Sequence, residues 1–389
     1  MNKFLSNSMV LKSFKKVTHN TLSRYISNVK PVINLSNNDL ENINIHRNIT
    51  VNSYSEKIYN RDDYPYNVCV KYCENKKISV IGYGPQGRGQ SLNMMDGGFD
   101  VILGLRPEGN SWNKAISDGW VPNVNLFDID EASKQSQIIQ YLLSDAGQIE
   151  YWPTIYKNLE DNDTLYFSHG FGLVYNNQTN IIPPKNIDII LVAPKGPGFM
   201  LRDKFINGSG INCSFAVHQN YSGNAYHTVK SLGFGIGGKN LFETTFEKEV
   251  YSDLTGERCV LMGLIQGAFK AQYDVLIENG HSPSEAFNET VEEALVSLYP
   301  MINEKGMDWM FENCSTTAQR GALEWSRKFY DGLRPEIEKC YTSVLDGSET
   351  ETVIKANQDK NYRENLEQEL NEIKNQEIWK IGHLLRELR

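Results

Sequence analysis

The chain has 389 residues, room for two domains of ordinary size, and its 40% hydrophobic and 22% charged content is that of a folded protein rather than a disordered one. A net charge of −9 argues against a nucleic-acid partner, and no apolar run approaches the roughly 18 residues a membrane helix needs. The cysteines are scattered, with only Cys69 and Cys73 close, and the histidines are dispersed. Reduced thiols fit this better than a zinc site.

In chain order, residues 1–38 carry Lys3, Lys12, Lys15, Lys16, Arg24 and Lys30 and no acid before Asp39. That composition predicts an organelle transit peptide, with a basic tail as the alternative. Residues 39–56, within an Asn- and Ser-rich stretch, are expected to be a flexible spacer.

Residues 57–240 read as a nucleotide-binding domain. ISVIG at 78–82 is a short apolar run ending in glycine, as a buried parallel strand would be. Further strand-like runs lie at 100–105, 138–143, 164–167 and 187–193, with helix-compatible stretches between several of them. Alternating strand and helix predicts a doubly wound parallel sheet, an α/β Rossmann-like domain.

The turn GYGPQGRG at 82–89 follows the first strand and opens a helix. Gly82, Gly84 and Gly87 have the spacing that lets a backbone turn tightly and approach a pyrophosphate, with Tyr83, Pro85 and Gln86 between them. A purely structural glycine turn is the alternative. After the second strand comes Arg106, with Ser111 nearby, instead of the acid that would bind a ribose 2′-hydroxyl. Arg106 can pair with a 2′-phosphate, and Ser111 can donate another bond, which favours NADPH over NADH; a surface salt bridge is the alternative for Arg106.

From about residue 246 strand runs give way to helical periodicity, so residues 241–389 are expected to form an all-α domain. Asp253 and Glu257 are four apart, and Glu289 and Glu293 repeat the spacing. On a helix each pair shares one face and repels, which a divalent cation relieves; oxygen-only ligands favour magnesium. A solvated helix face is the alternative for either pair alone. Ser282, Pro283 and Glu285 make a helix start with a capping box. Residues 361–389 read as an amphipathic terminal helix.

The segments GYGPQGRGQSLN, GLRPEGNSW, DGWVP, LLSDAGQ, YFSHGF, VAPKGPG, SDLTGERCVLMG, FNETVEEALVSLYP and CSTTAQRGAL, in this order, resemble the ketol-acid reductoisomerases over about residues 57–389, closest to the short, fungal mitochondrial form. The resemblance implies a knotted helical second domain, NADPH and two Mg2+ per active site. It also implies an alkyl shift in 2-acetolactate or 2-aceto-2-hydroxybutyrate, followed by reduction to the dihydroxy acid. By motif match Asp253 is the bridging metal ligand, Glu257 a second ligand, and Glu289 and Glu293 complete the site from a partner subunit. A homodimer or higher homo-oligomer with a shared site is therefore implied, in the mitochondrial matrix or alternatively a plastid. His169 and Lys195 match catalytic positions, His169 beside the nicotinamide; Ser144 in LLSDAGQ matches a cofactor position and Ser315 the serine that holds the substrate carboxylate. Pro85 and Arg88 depart from the pattern, Pro85 by removing a backbone donor and Arg88 by offering a compensating charge. The competing readings are an NADP-dependent hydroxyacid dehydrogenase and a non-catalytic NADP-binding scaffold.

Overall fold

A computed structural model describes residues 45–388. The expected leader, 1–38, and residues 39–44 lie outside them. One sheet of ten strands organises the first domain, in the order β1-β2-β10-β9-β8-β7-β6-β3-β4-β5. The strands are β1 (Arg47–Val51), β2 (Tyr54–Asn60), β3 (Ile78–Ile81), β4 (Val101–Gly104), β5 (Leu126–Phe127), β6 (Ile138–Tyr141), β7 (Thr164–Phe167), β8 (Asp188–Pro194), β9 (Ile211–Gln219) and β10 (Gly238–Glu243).

From β5 to β8 all neighbours are parallel. Their chain order across the sheet is third, second, first, fourth, fifth, sixth, the dinucleotide-binding order. Continuous apolar strands suit this position because helices cover both faces: β3, β4, β6 and β7 are buried at every residue. The order reverses between β3 and β6, which leaves a crevice at their carboxyl ends.

The sheet continues beyond the strands expected within residues 78–193. β9 runs antiparallel to β8, β10 parallel to β9, and the β1–β2 hairpin closes on β10 through Phe242–Ile58, Leu241–Tyr59 and Asn240–Asn60 pairs. Part of the expected 39–56 spacer is thus strand, from Arg47 onward. β1 is exposed at every residue, so backbone pairing rather than burial holds it, and polar composition is no obstacle to that. The sheet also outlasts the expected boundary at 240, ending at Glu243.

Helix α1 (Pro85–Asp96) follows β3, α2 (Asp145–Asn158) follows β6, and α3 (Gly198–Ile206) follows β8. α1 and α3 touch backbone to backbone: a Cβ on Gly89 would lie 2.5 Å from the Gly198 carbonyl oxygen, and one on Gly198 would overlap Pro85.

The second domain is helical. Thr245 caps α4 (Phe246–Gly256), its side chain accepting from Lys248 N at 3.2 Å. The expected continuous helicity over 250–278 is interrupted: a wide, π-type turn at Glu257–Leu261 contains non-helical Cys259, and α5 (Gly263–Glu278) resumes. Ser282 caps Pro283–Phe287 as its motif predicts, accepting from Glu285 N at 3.3 Å. Two more π-type turns follow, Asn288–Glu292 and Ala294–Leu298.

α6 (Thr316–Leu345) is 30 residues long and buries only Val344. The expected terminal helix is two, Tyr362–Asn375 and α7 (Glu377–Glu387), broken by extended backbone at Gln376. α7 seats Ile378 and Gly382 against Phe287, in a small core with Phe269, Tyr273 and Val291. No helix among the described residues is long and apolar enough to cross a membrane.

Candidate active site

The glycine-rich turn sits at the crevice. Gly82 has φ +109°, and a Cβ there would meet the Leu142 carbonyl oxygen at 2.6 Å, so only glycine lets β3 leave this close to β6. A Cβ on Gly87 would overlap the Gly82 carbonyl. Gly84 is different: nothing in the protein lies within 4 Å of its missing Cβ, at the N-cap of α1. Two glycines close the turn and the third leaves room above it. That is the shape a pyrophosphate needs, at a helix end whose N–H groups lack partners. Pro85 takes the first helical position, where a missing N–H costs least.

The side chains of the turn point away from that space. Tyr83 donates its hydroxyl to Asp118 at 2.9 Å and accepts from Trp120 Nε1 at 3.1 Å. Arg88 grips the same Asp118 through Nε and Nη2 at 2.7 and 2.8 Å. The charge expected of Arg88 toward a phosphate is therefore committed to a carboxylate. Burial pushes Asp118 up, but Arg88 and Tyr83 outweigh it and hold it below its ordinary value. Gln86 donates to the Gly196 carbonyl at 2.9 Å.

Ser144 ends the loop after β6 and caps α2, its hydroxyl accepting from Gly147 N at 3.4 Å. Arg106 and Ser111 are exposed beyond the end of β4, with no ion pair or side-chain hydrogen bond at Arg106 among the described residues.

His169 follows β7 and Lys195 follows β8, at the same sheet edge as the glycine turn. α4 carries Glu249 and Asp253 to meet them. Lys195 Nζ is 3.0 Å from Glu249 Oε1 and 3.8 Å from Asp253 Oδ1. His169 Nδ1 is 3.4 Å from Glu249 Oε2 and 3.3 Å from Asp253 Oδ2. Neither His169 Nδ1 nor Glu249 Oε2 has a hydrogen bond of good geometry, so their attraction is that of an ion pair.

Glu249 escaped the sequence reading, although it stands four residues before Asp253 as Asp253 stands before Glu257. The three acids form one stripe, and Glu249 is its buried end, 1% exposed. Burial opposes the Glu249 charge, yet His169 and Lys195 keep its carboxyl below the ordinary value. Burial likewise disfavours imidazolium at His169, but the adjoining acids, Glu249 first, raise it to about 9. Asp253 is raised by burial and then by Glu249, and Glu257 by burial and then by Asp253. The cations of this chain thus satisfy the inner acid and leave the outer two short of positive charge. Two such oxygen donors, one helical turn apart, fit a hard divalent cation.

His169, Glu249 and Asp253 are the one group of three metal-competent side chains gathered among the described residues. Glu257, one helical turn on from Asp253, stands outside that group. Glu289 is exposed on the Asn288–Glu292 turn and Glu293 is exposed between the two turns, and neither joins that group. Ser315 is also exposed; it caps α6, its Oγ accepting from Ala318 N at 3.2 Å.

Residues 72–241 match the model of the acetohydroxy acid isomeroreductase NADPH-binding domain, and residues 246–389 that of the ketol-acid reductoisomerase C-terminal domain. The chain belongs to the ketol-acid reductoisomerase family. The boundary between the two matches falls where β10 ends and α4 begins. The mitochondrial ketol-acid reductoisomerase of Neurospora crassa is 53% identical over 86% of this chain and 84% of its own length. A ketol-acid reductoisomerase (NAD(+)) of Desulfosudis oleivorans is 52% identical over 88% and 97%. Among solved structures, an NADH-preferring ketol-acid reductoisomerase from an uncultured archean matches with a TM-score of 0.75 and 27% identity, covering 85% of this chain and 99% of that one. The family places the chain among the oxidoreductases of branched-chain amino-acid synthesis.

Proposed function

We propose that the enzyme converts 2-acetolactate, or 2-aceto-2-hydroxybutyrate, to the 2,3-dihydroxy-3-methyl acid by an alkyl shift and a reduction, with NADPH and two Mg2+ per active site. The observation that supports it is Glu249 and Asp253, in one stripe with Glu257, meeting His169 and Lys195 at the sheet edge that bears the glycine turn. When bound, divalent cations polarise a carbonyl and acidify a neighbouring hydroxyl, and the dinucleotide supplies hydride. Asp253, as the bridge, and Glu257 would hold the cations from this chain. Glu289 and Glu293 of the partner subunit would complete the shell, and Ser315 would hold the substrate carboxylate.

Lys195 Nζ and the His169 imidazole keep a cationic edge beside the stripe. Protons held at Lys195 Nζ and on His169 can pass to an oxygen that gains charge during reduction. Glu249 fixes both groups without needing to touch substrate; it is a positioning residue. Arg106 and Ser111, open at the end of β4, support NADPH over NADH. Relatives of both preferences exist, so the 2′-phosphate contact is what must be tested.

A shared active site needs a dimer. Supporting it, α6 exposes Leu323, Trp325, Phe329, Tyr330, Leu333, Tyr341 and Leu345, far more apolar surface than an isolated monomer keeps in water. We also propose the mitochondrial matrix as its location, on the basic, acid-free composition of residues 1–38 and on fungal relatives named as mitochondrial.

The deciding experiment follows loss of NADPH absorbance with 2-acetolactate, with and without Mg2+. Oxidation only with Mg2+ is expected. Inert acetolactate beside rapid metal-free reduction of a 2-keto acid would sink the proposal and favour a plain dehydrogenase.

A further inference from the structure

Gln90 lies on α1, one turn past Gln86, and is completely buried. A buried primary amide is costly unless both donors and its acceptor find partners. All three are met here, each by a segment of the site. The Gln90 amide nitrogen donates to Gln86 Oε1 at 3.1 Å and to Ser168 Oγ at 2.7 Å. Its oxygen accepts from the Tyr166 hydroxyl at 2.9 Å. Gln86 in turn donates to the Gly196 carbonyl.

These bonds join three separate pieces of chain. Gln86 belongs to the glycine-rich turn, Ser168 precedes His169, and Gly196 follows Lys195. The run has a single polarity. The Gly196 carbonyl can only accept, so the Gln86 nitrogen must face it. The Gln86 oxygen then faces Gln90, and only the Gln90 nitrogen can answer it. Neither amide can flip without setting oxygen against oxygen.

We propose that Gln90 is a positioning residue of the reaction, holding the His169 strand end and the Lys195 loop in fixed register with the turn that carries the dinucleotide. The inference rests on reading His169 and Lys195 as the proton-bearing groups of the site. Reacting groups tolerate little displacement: a shift of about 1 Å can cost on the order of 100-fold in rate. Gln90 touches no reacting atom, so its effect reaches the chemistry only through Ser168 and Gln86.

The test uses Gln90→Met, which keeps the volume and removes the amide, and Ser168→Ala, a milder change at a half-buried hydroxyl. Melting temperature, NADPH affinity by fluorescence, kcat and KM are measured on the full chain with Mg2+. Both variants should lose about tenfold in kcat while KM for acetolactate stays within about threefold, and the double variant should be no worse than the poorer single one. Ser168→Thr, which restores a hydroxyl, should recover most of the rate. A lowered melting temperature with kcat per folded enzyme within about twofold of the parent would mean a merely structural role and overturn the inference. If Gln90→Met does not fold, Ser168→Ala and Ser168→Thr decide the matter alone. Lys195→Met separates the two levels of argument. Retained turnover there overturns the reading of the site itself, whereas its loss beside an unimpaired Gln90→Met overturns only the positioning role.

Discussion

Gly84 separates packing from binding better than any other residue of the turn. Its backbone angles, φ −69° and ψ −174°, suit any residue, and no protein atom would touch a Cβ there. Gly84→Ala should therefore leave the melting temperature unchanged and weaken NADPH by about tenfold or more, because the methyl occupies the room above the helix N-terminus. Unchanged affinity in a titration would show that nothing approaches the turn from that side. The acid stripe invites a different cut. Glu257→Gln removes one charge from a group burial already strains, so Mg2+-dependent isomerisation should be abolished with NADPH binding nearly intact. Retained acetolactate turnover would contradict the ligand role. Arg106→Ala should weaken NADPH much more than NADH, and equal losses for the two cofactors would remove the 2′-phosphate contact from the argument.

Elements place those residues. β7 and β8 are parallel neighbours with Phe167 beside Leu191, so His169 and Lys195 emerge at the same sheet edge although 26 residues apart. α4 reaches both through Glu249 and Asp253, and the π-type turn that follows it begins at Glu257. Such wide turns recur at functional sites. The Asn288–Glu292 turn carries Glu289 and ends next to Glu293, and Ser282 anchors the helix that leads into it. Ser282→Ala leaves the Glu285 N–H without its cap and should cost about 1 kcal/mol, read by urea denaturation. A loss below a few tenths would mean that the packing of Phe287 against α7 alone sets this end.

At the scale of the whole molecule, the two domains differ in how well each is closed. The sheet domain is layered and buried through every central strand. The helical domain presents a 30-residue helix with one buried side chain, and leaves Glu289, Glu293 and Ser315 at its surface. A second copy covering α6 would finish both the core and the site. Phe329→Glu should therefore shift the protein toward monomer in sedimentation velocity and remove turnover together, since each site would draw acids from both subunits. An active monomer would rule out the shared site.

Much of this was legible from residues alone. Short apolar runs located β3, β4, β6, β7 and β8, because a strand buried on both faces has no polar alternation to hide it. The glycine spacing located the crevice, and the paired acids located α4. β9, β10 and the β1–β2 hairpin were not legible, since they are held by backbone pairing to neighbours far away in sequence. Arg88 misled for a similar reason: its partner Asp118 lies 30 residues on, and a charge near a phosphate turn says nothing about what has already claimed it. Glu249 was visible as the first member of an i, i+4, i+8 stripe, but only its burial against Lys195 and His169 gives it a role. The sequence by itself determined the family, the reaction class and the spacing of the acids, since these rest on local order along the chain. Which acid is paired with Lys195 and His169, and which amide ties three loops together, were decided only by tertiary structure, because charge and hydrogen bonding depend on distance through space.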